Sequence, residues 1–115
     1  MKKDILGKNI DIELWKSGIT LFICDKETGL KKINKYLPED YQFDLFEGKC
    51  ITIGRYNPIV WVNSKSKNLV SVLSHELLHA TFEILTLRDV PITYQNDEVI
   101  TYTHQFLMER CVKLS

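Results

Sequence analysis

The sequence predicts an α+β fold, in which a small twisted N-terminal β-sheet packs on a long apolar helix and a C-terminal helix. Three observations predict it. Short, alternating or β-branched stretches are confined to the first half of the chain, the longest periodic apolar stretch spans residues 67–87, and a second helical stretch closes the sequence. At 115 residues, with 44% hydrophobic and 26% charged residues, there is material for one core and one domain, residues 1–115. No internal repeat, low-complexity tract or linker suggests a boundary.

Taking the elements in order, residues 10–15 alternate apolar and polar, the period of a half-buried strand. Lys16-Ser17-Gly18 supplies a turn, and residues 19–24 form a second, more apolar strand. Helical spacing through Leu30, Ile33 and Leu37 predicts a helix over residues 26–37, stopped by Pro38. Residues 49–53 and 58–62 flank Gly54-Arg55-Tyr56-Asn57 and read as a hairpin, with Pro58 at a strand start where a missing donor matters least. Asn63, Ser64 and Ser66 offer N-caps for the helix over residues 67–87. Residues 88–95, with Pro91, form a connection, and Asn96 or Asp97 caps a last helix running to about Val112.

Composition excludes several function classes. Fifteen basic and fifteen acidic residues cancel, so the basic excess of a nucleic-acid-binding surface is missing. Met1-Lys2-Lys3 is too short for a basic arm, and Asp4, Lys8, Asn9 and Asp11 interrupt any signal-peptide-like run. No apolar run is long enough for a membrane span. Cys24, Cys50 and Cys111 are odd in number and widely spaced, which fits buried thiols in a reducing compartment rather than a disulfide framework. A cytoplasmic protein is the expectation.

Chemistry concentrates in His75-Glu76-Leu77-Leu78-His79, an H-E-x-x-H pattern. Residues i and i+4 lie one turn apart on one helix face, so both imidazoles reach a single Zn²⁺ at about 2.0–2.1 Å. Glu76 stands on the same turn, placed to take a proton from a water whose pKa the metal lowers from 15.7 to roughly 7. Ionisable residues are costly in a helix flanked by Val70, Val72, Leu73, Phe82 and Leu85, unless they bind something.

A catalytic zinc requires a third protein ligand and an open fourth position. Phe82 and Leu85 stand where the metzincin extension needs Gly and His, which excludes that class. Glu98 and His104 then compete. On a last helix, Glu98, Thr101, Tyr102, Gln105 and Glu109 share one face, with His104 about 120° from Glu98. The two therefore do not serve one metal together, and Glu98 is favoured, its alternative being a helix-start carboxylate. Glu83, one turn beyond His79, reads as a solvated or supporting carboxylate.

H-E-x-x-H followed after roughly twenty residues by a helix-borne glutamate is similar to the gluzincin class of zinc metallopeptidases. The layout also resembles minigluzincins and small metallopeptidase-like proteins encoded in bacteriophages and mobile elements. The matching stretches are Ser74-His75-Glu76-Leu77-Leu78-His79-Ala80 and Asn96-Asp97-Glu98-Val99-Ile100-Thr101-Tyr102, preceded by Ile59-Val60-Trp61-Val62. The resemblance implies a minimal zincin-like fold, zinc ligands His75, His79 and Glu98, Glu76 as general base, and a peptide or protein substrate. Tyr102 stands where larger gluzincins place an Asp that steadies a ligand histidine, so that contact is made by a phenol or is absent. Tyr94, Tyr102 and His104 are the candidates for stabilising an oxyanion. Residues 59–62 are expected either to border the cleft as an edge strand that accepts extended substrate, or to be a core strand with Trp61 against a helix. The competing function is a non-catalytic zinc-stabilised interaction module; a third is a processing enzyme dedicated to one partner. The presence of Glu76 favours catalysis over a structural zinc.

Overall fold

A computed structural model describes residues 3–39 and 41–115; the Met1-Lys2 start of the short basic terminus lies outside the described residues. The predicted α+β architecture is present, with one addition: the sheet carries helices on both faces. Its strands are β1 (Ile5–Ile12), β2 (Ser17–Cys24), β3 (Gly48–Ile51) and β4 (Ile59–Asn63), in the spatial order β1-β2-β4-β3. β1 pairs antiparallel with β2, β2 parallel with β4, and β3 antiparallel with β4. The helices are α1 (Lys26–Ile33), α2 (Leu69–Leu87) and α3 (Asp97–Leu114). No helix among the described residues is long and apolar enough to cross a membrane.

Strand alternation sorts the apolar side chains between two cores. Ile19, Leu21 and Ile23 of β2 face one way, with Val60 and Val62 of β4, and meet Leu73, Leu77, Ala80 and Ile84 of α2 and Leu107 and Cys111 of α3. Phe22, Cys24, Ile59 and Trp61 face the other way and meet Ile33 of α1 together with Leu37 and Leu45. Each fully buried side chain contributes roughly 1.5–3 kcal/mol, so the two cores rather than the surface fix how α2 sits on the sheet.

Several boundaries differ from the sequence-based expectation, each for a visible reason. The first strand begins at Ile5 and ends at Ile12, because Glu13–Trp15 coil into a 3-10 turn closed by Lys16 in the left-handed region, φ 48°. That turn lets the Trp15 indole donate to Thr103 Oγ1 of α3 at 3.2 Å, a contact nearly ninety residues apart that alternation does not reveal. The helix expected over residues 26–37 is capped by Asp25, whose Oδ1 accepts from Thr28 N, and then tightens to a 3-10 turn over Asn34–Tyr36 before Pro38. The expected side-chain caps of the two later helices are not made. Asn68 precedes α2 and Asn96 precedes α3 without a capping bond, and Asn96 Nδ2 instead donates to Pro91 O. At the far end of α2, Asp89 is left-handed at φ 59° and Val90 N returns to Leu85 O, which ends the helix.

The predicted hairpin is present as β3 and β4, with Ile51 opposite Ile59 and Gly48 opposite Val62. β4 is nevertheless an interior strand, paired on both sides, and Trp61 is fully buried beside Gly29 of α1. The edge-strand reading of residues 59–62 is therefore corrected to the core-strand reading. The outer strand on that side is β3. Asn63 holds it in register, donating its backbone N–H to Glu47 O at 2.8 Å and its Nδ2 to Phe46 O at 3.2 Å.

Candidate metal centre

α2 lies across β4 and β3, and its surface divides by the helical period. Leu73, Leu77, Ala80 and Ile84 point at the sheet, so His75 and His79 are carried to the exposed side and Glu76 to the flank facing β3. The two histidine Nε2 atoms stand 3.3 Å apart and the rings meet edge to face, centroids 4.9 Å apart and 75° between planes. One donor atom each from His75, Glu76 and His79 lies within 4.8 Å of the others, the one such metal-competent group among the described residues. The donor set fits zinc. Two nitrogens each about 2.0–2.1 Å from a tetrahedral ion stand about 3.3–3.4 Å apart, and that is the spacing these imidazoles already hold.

Glu76 is the buried member, 8% exposed. Burial raises its carboxyl above the ordinary range, against the opposing pull of the charges on His75, His79 and Lys49. The space it occupies is made by a residue that sequence reasoning missed. A Cβ added at Gly48 on β3 would stand 2.6 Å from Val72 Cγ1 and 2.9 Å from both Cγ and Oε2 of Glu76. Gly48 is thus a point of close approach between strand and helix, and it leaves the Glu76 carboxylate lying directly on the sheet's outer strand. The available signal was a glycine opening a strand, a position that often marks close approach. Replacing Gly48 by Ala is expected to cost about 1–3 kcal/mol, because Val72 cannot swing aside as a long flexible chain would. Thermal melting measures the loss; an unchanged midpoint would show that the two elements have slack between them.

Cys50 follows on the same face of β3. Burial first, and then the negative charges of Glu76 and Glu83, push its thiol up to about 12. Cys24 is raised to about 11 and Cys111 to about 12, again by burial first. All three are free thiols, with Cys24 and Cys111 buried as expected and Cys50 half-buried.

The remaining predicted site residues lie on or before α3, outside the group formed by His75, Glu76 and His79. Glu98 is exposed on the first turn of α3, and its carboxylate forms no hydrogen bond or ion pair among the described residues. His104 faces α2: its Nε2 lies 3.1 Å from Ser74 O and 3.4 Å from Ser74 Oγ, so it braces the residue just before His75. Tyr102 is 66% exposed and lines a groove between α3 and β1 with Trp15. Tyr94 is 87% exposed. Comparison of the sequence with family models finds no match, and comparisons with curated proteins and with solved structures find no significant match. The site therefore rests on its own chemistry.

The buried carboxylate has a stability signature. Its folded-state pKa lies above the unfolded one, so the stability it allows is fully present at pH below the unfolded value and is lost as pH rises through the folded value. Metal-free protein carrying Glu76→Gln, which cannot ionise, is expected to melt higher than the metal-free wild type near pH 7 and at the same temperature near pH 4. Melting curves in excess chelator across about pH 4–7 test this; a gap that widens toward acid would reverse the sign.

Proposed function

We propose that the protein is a zinc-dependent hydrolase of peptide bonds, a metalloendopeptidase with Glu76 as general base. The observation that carries this reading is the buried, weakly acidic Glu76 beside two imidazoles already at the spacing a tetrahedral ion requires. In this reading His75, His79 and Glu98 hold the ion. When bound, zinc supplies Lewis acidity that makes a water acidic near neutral pH and polarises a carbonyl.

The chain's own residues do the rest. Glu76 accepts one proton from the attacking water as the new C–O bond forms. As the C–N bond breaks it passes that proton to the departing nitrogen, leaving a carboxylic acid and an amine. Desolvation serves the first half of the cycle, since a carboxylate held above its usual pKa takes the proton more readily than one in water. The exposed side of the imidazole pair leaves room for substrate, and β3 offers a main-chain edge next to Glu76, unpaired among the described residues, along which an extended segment can align. Such an edge selects backbone rather than a small molecule, which supports a peptide substrate. A zinc with a purely structural role has no use for a buried carboxylate between its ligands.

Two measurements on the purified chain test the proposal together. Elemental analysis is expected to find about one zinc per chain. Cleavage of an unfolded protein substrate is expected to stop with chelator and return with added zinc. Zinc-loaded protein that leaves every peptide intact would favour the interaction module; no bound transition metal would remove both.

A further inference from the structure

A second concavity, about 690 Å³, opens on the α1 side of the sheet beyond the end of β3 and shares no residue with the metal centre. Four cations border it, Lys16, Lys35, Arg55 and Arg88, and among the described residues no acidic one does. None of the four forms an ion pair among the described residues, although the chain as a whole carries equal numbers of each sign. Like charges gathered around one basin are unfavourable unless something neutralises them, and a low-dielectric floor concentrates their field.

One of the cations is held in place. The backbone at Lys16, left-handed at φ 48°, presents two successive carbonyls to Arg88: Nε donates to Trp15 O at 2.6 Å and Nη2 to Lys16 O at 2.8 Å. The guanidinium has five N–H donors in a fixed fork, so the others remain for a ligand without further ordering cost. The floor is apolar, made by the buried Ile51 and Ile59, and two rings stand at the rim, Tyr36 at 54% and Tyr56 at 77% exposure. The volume lies in the range of about 300–1,000 Å³ typical of small-molecule sites. A nucleic-acid strand would need a basic track, which a neutral chain with one basin does not offer.

We infer that this basin binds a phosphate-bearing small molecule with an apolar or aromatic body, of the nucleoside phosphate class. The phosphates meet Arg88, Arg55 and the two lysines, and the flat body lies on the isoleucine floor against a tyrosine ring.

Calorimetric titration of the whole chain with adenosine diphosphate, pyrophosphate and adenosine, at about 100 mM salt, tests this. The diphosphate is expected to bind at least about tenfold more tightly than either fragment. The double substitution Lys35→Gln with Arg55→Gln is expected to weaken it about tenfold or more. Lys49→Gln and His79→Ala are expected to leave it unchanged, which separates the basin from the metal centre. No saturation by about 10 mM with any probe, a double variant that binds as well as wild type, or an equal loss in His79→Ala would each overturn the assignment. Pyrophosphate binding as tightly as the diphosphate would overturn the role given to the apolar floor.

Discussion

Glu76→Gln is expected to abolish peptide hydrolysis while the protein keeps its zinc and its fold. A positioned general base contributes typically about 10²–10⁴-fold, so turnover is expected to fall by that factor with zinc content unchanged. The substitution is close to isosteric, and Gln fits the niche that Gly48 leaves against the sheet. It removes the proton acceptor without opening a cavity or disturbing the neighbouring imidazoles. Single-turnover cleavage rates alongside metal analysis separate the two effects. Activity within a few-fold of wild type would take the carboxylate out of the chemistry, and joint loss of zinc and activity would make Glu76 a ligand instead.

Glu98→Ala is expected to weaken zinc binding by about 100-fold or more, and His104→Ala far less, because the loss of a ligand exceeds the 10–100-fold typical of groups that only orient one. The geometry makes the contrast informative. His104 is committed to Ser74 at 3.1 Å, so its removal loosens the junction of α3 with α2 just before His75 and acts on the metal only through that packing. Glu98 stands exposed and uncommitted on the first turn of α3. Competition titration with a coloured chelator gives both affinities. Equal losses would assign the third donor elsewhere, and a larger loss in His104→Ala would transfer the role to the imidazole.

Much of the architecture was legible because the residues that set it act through simple periods. The alternating strands, the 3.6-residue spacing of Leu73, Leu77, Ala80 and Ile84, and the turn at Gly54 each encode local geometry that survives in the fold. His75, Glu76 and His79 come together for the same reason, since i to i+4 spacing on a helix needs no tertiary information. What was not legible depends on partners distant in sequence. Which strand lies outermost is decided by the parallel seam between β2 and β4, invisible from β4 alone, so residues 59–62 read equally well as edge or core. Gly48 carries no periodic signal and becomes meaningful only when Val72 and Glu76 are set against it. Trp15 was read as the end of a strand because its bond to Thr103 spans nearly the whole chain.

The strand order has a consequence for assembly. β1 with β2 and β3 with β4 are each hairpins of neighbouring sequence, whereas β2 meets β4 across the thirty-four residues 25–58, which include α1. Closing short loops is fast and closing long ones slow, so the two ribbons are expected to form early and independently, with their zippering as the late, rate-limiting event. Because α2 rests mainly on the second ribbon, the two imidazoles gain their support from that half of the molecule, and an ion that captures them early would tether the half that folds around it before the remainder has docked.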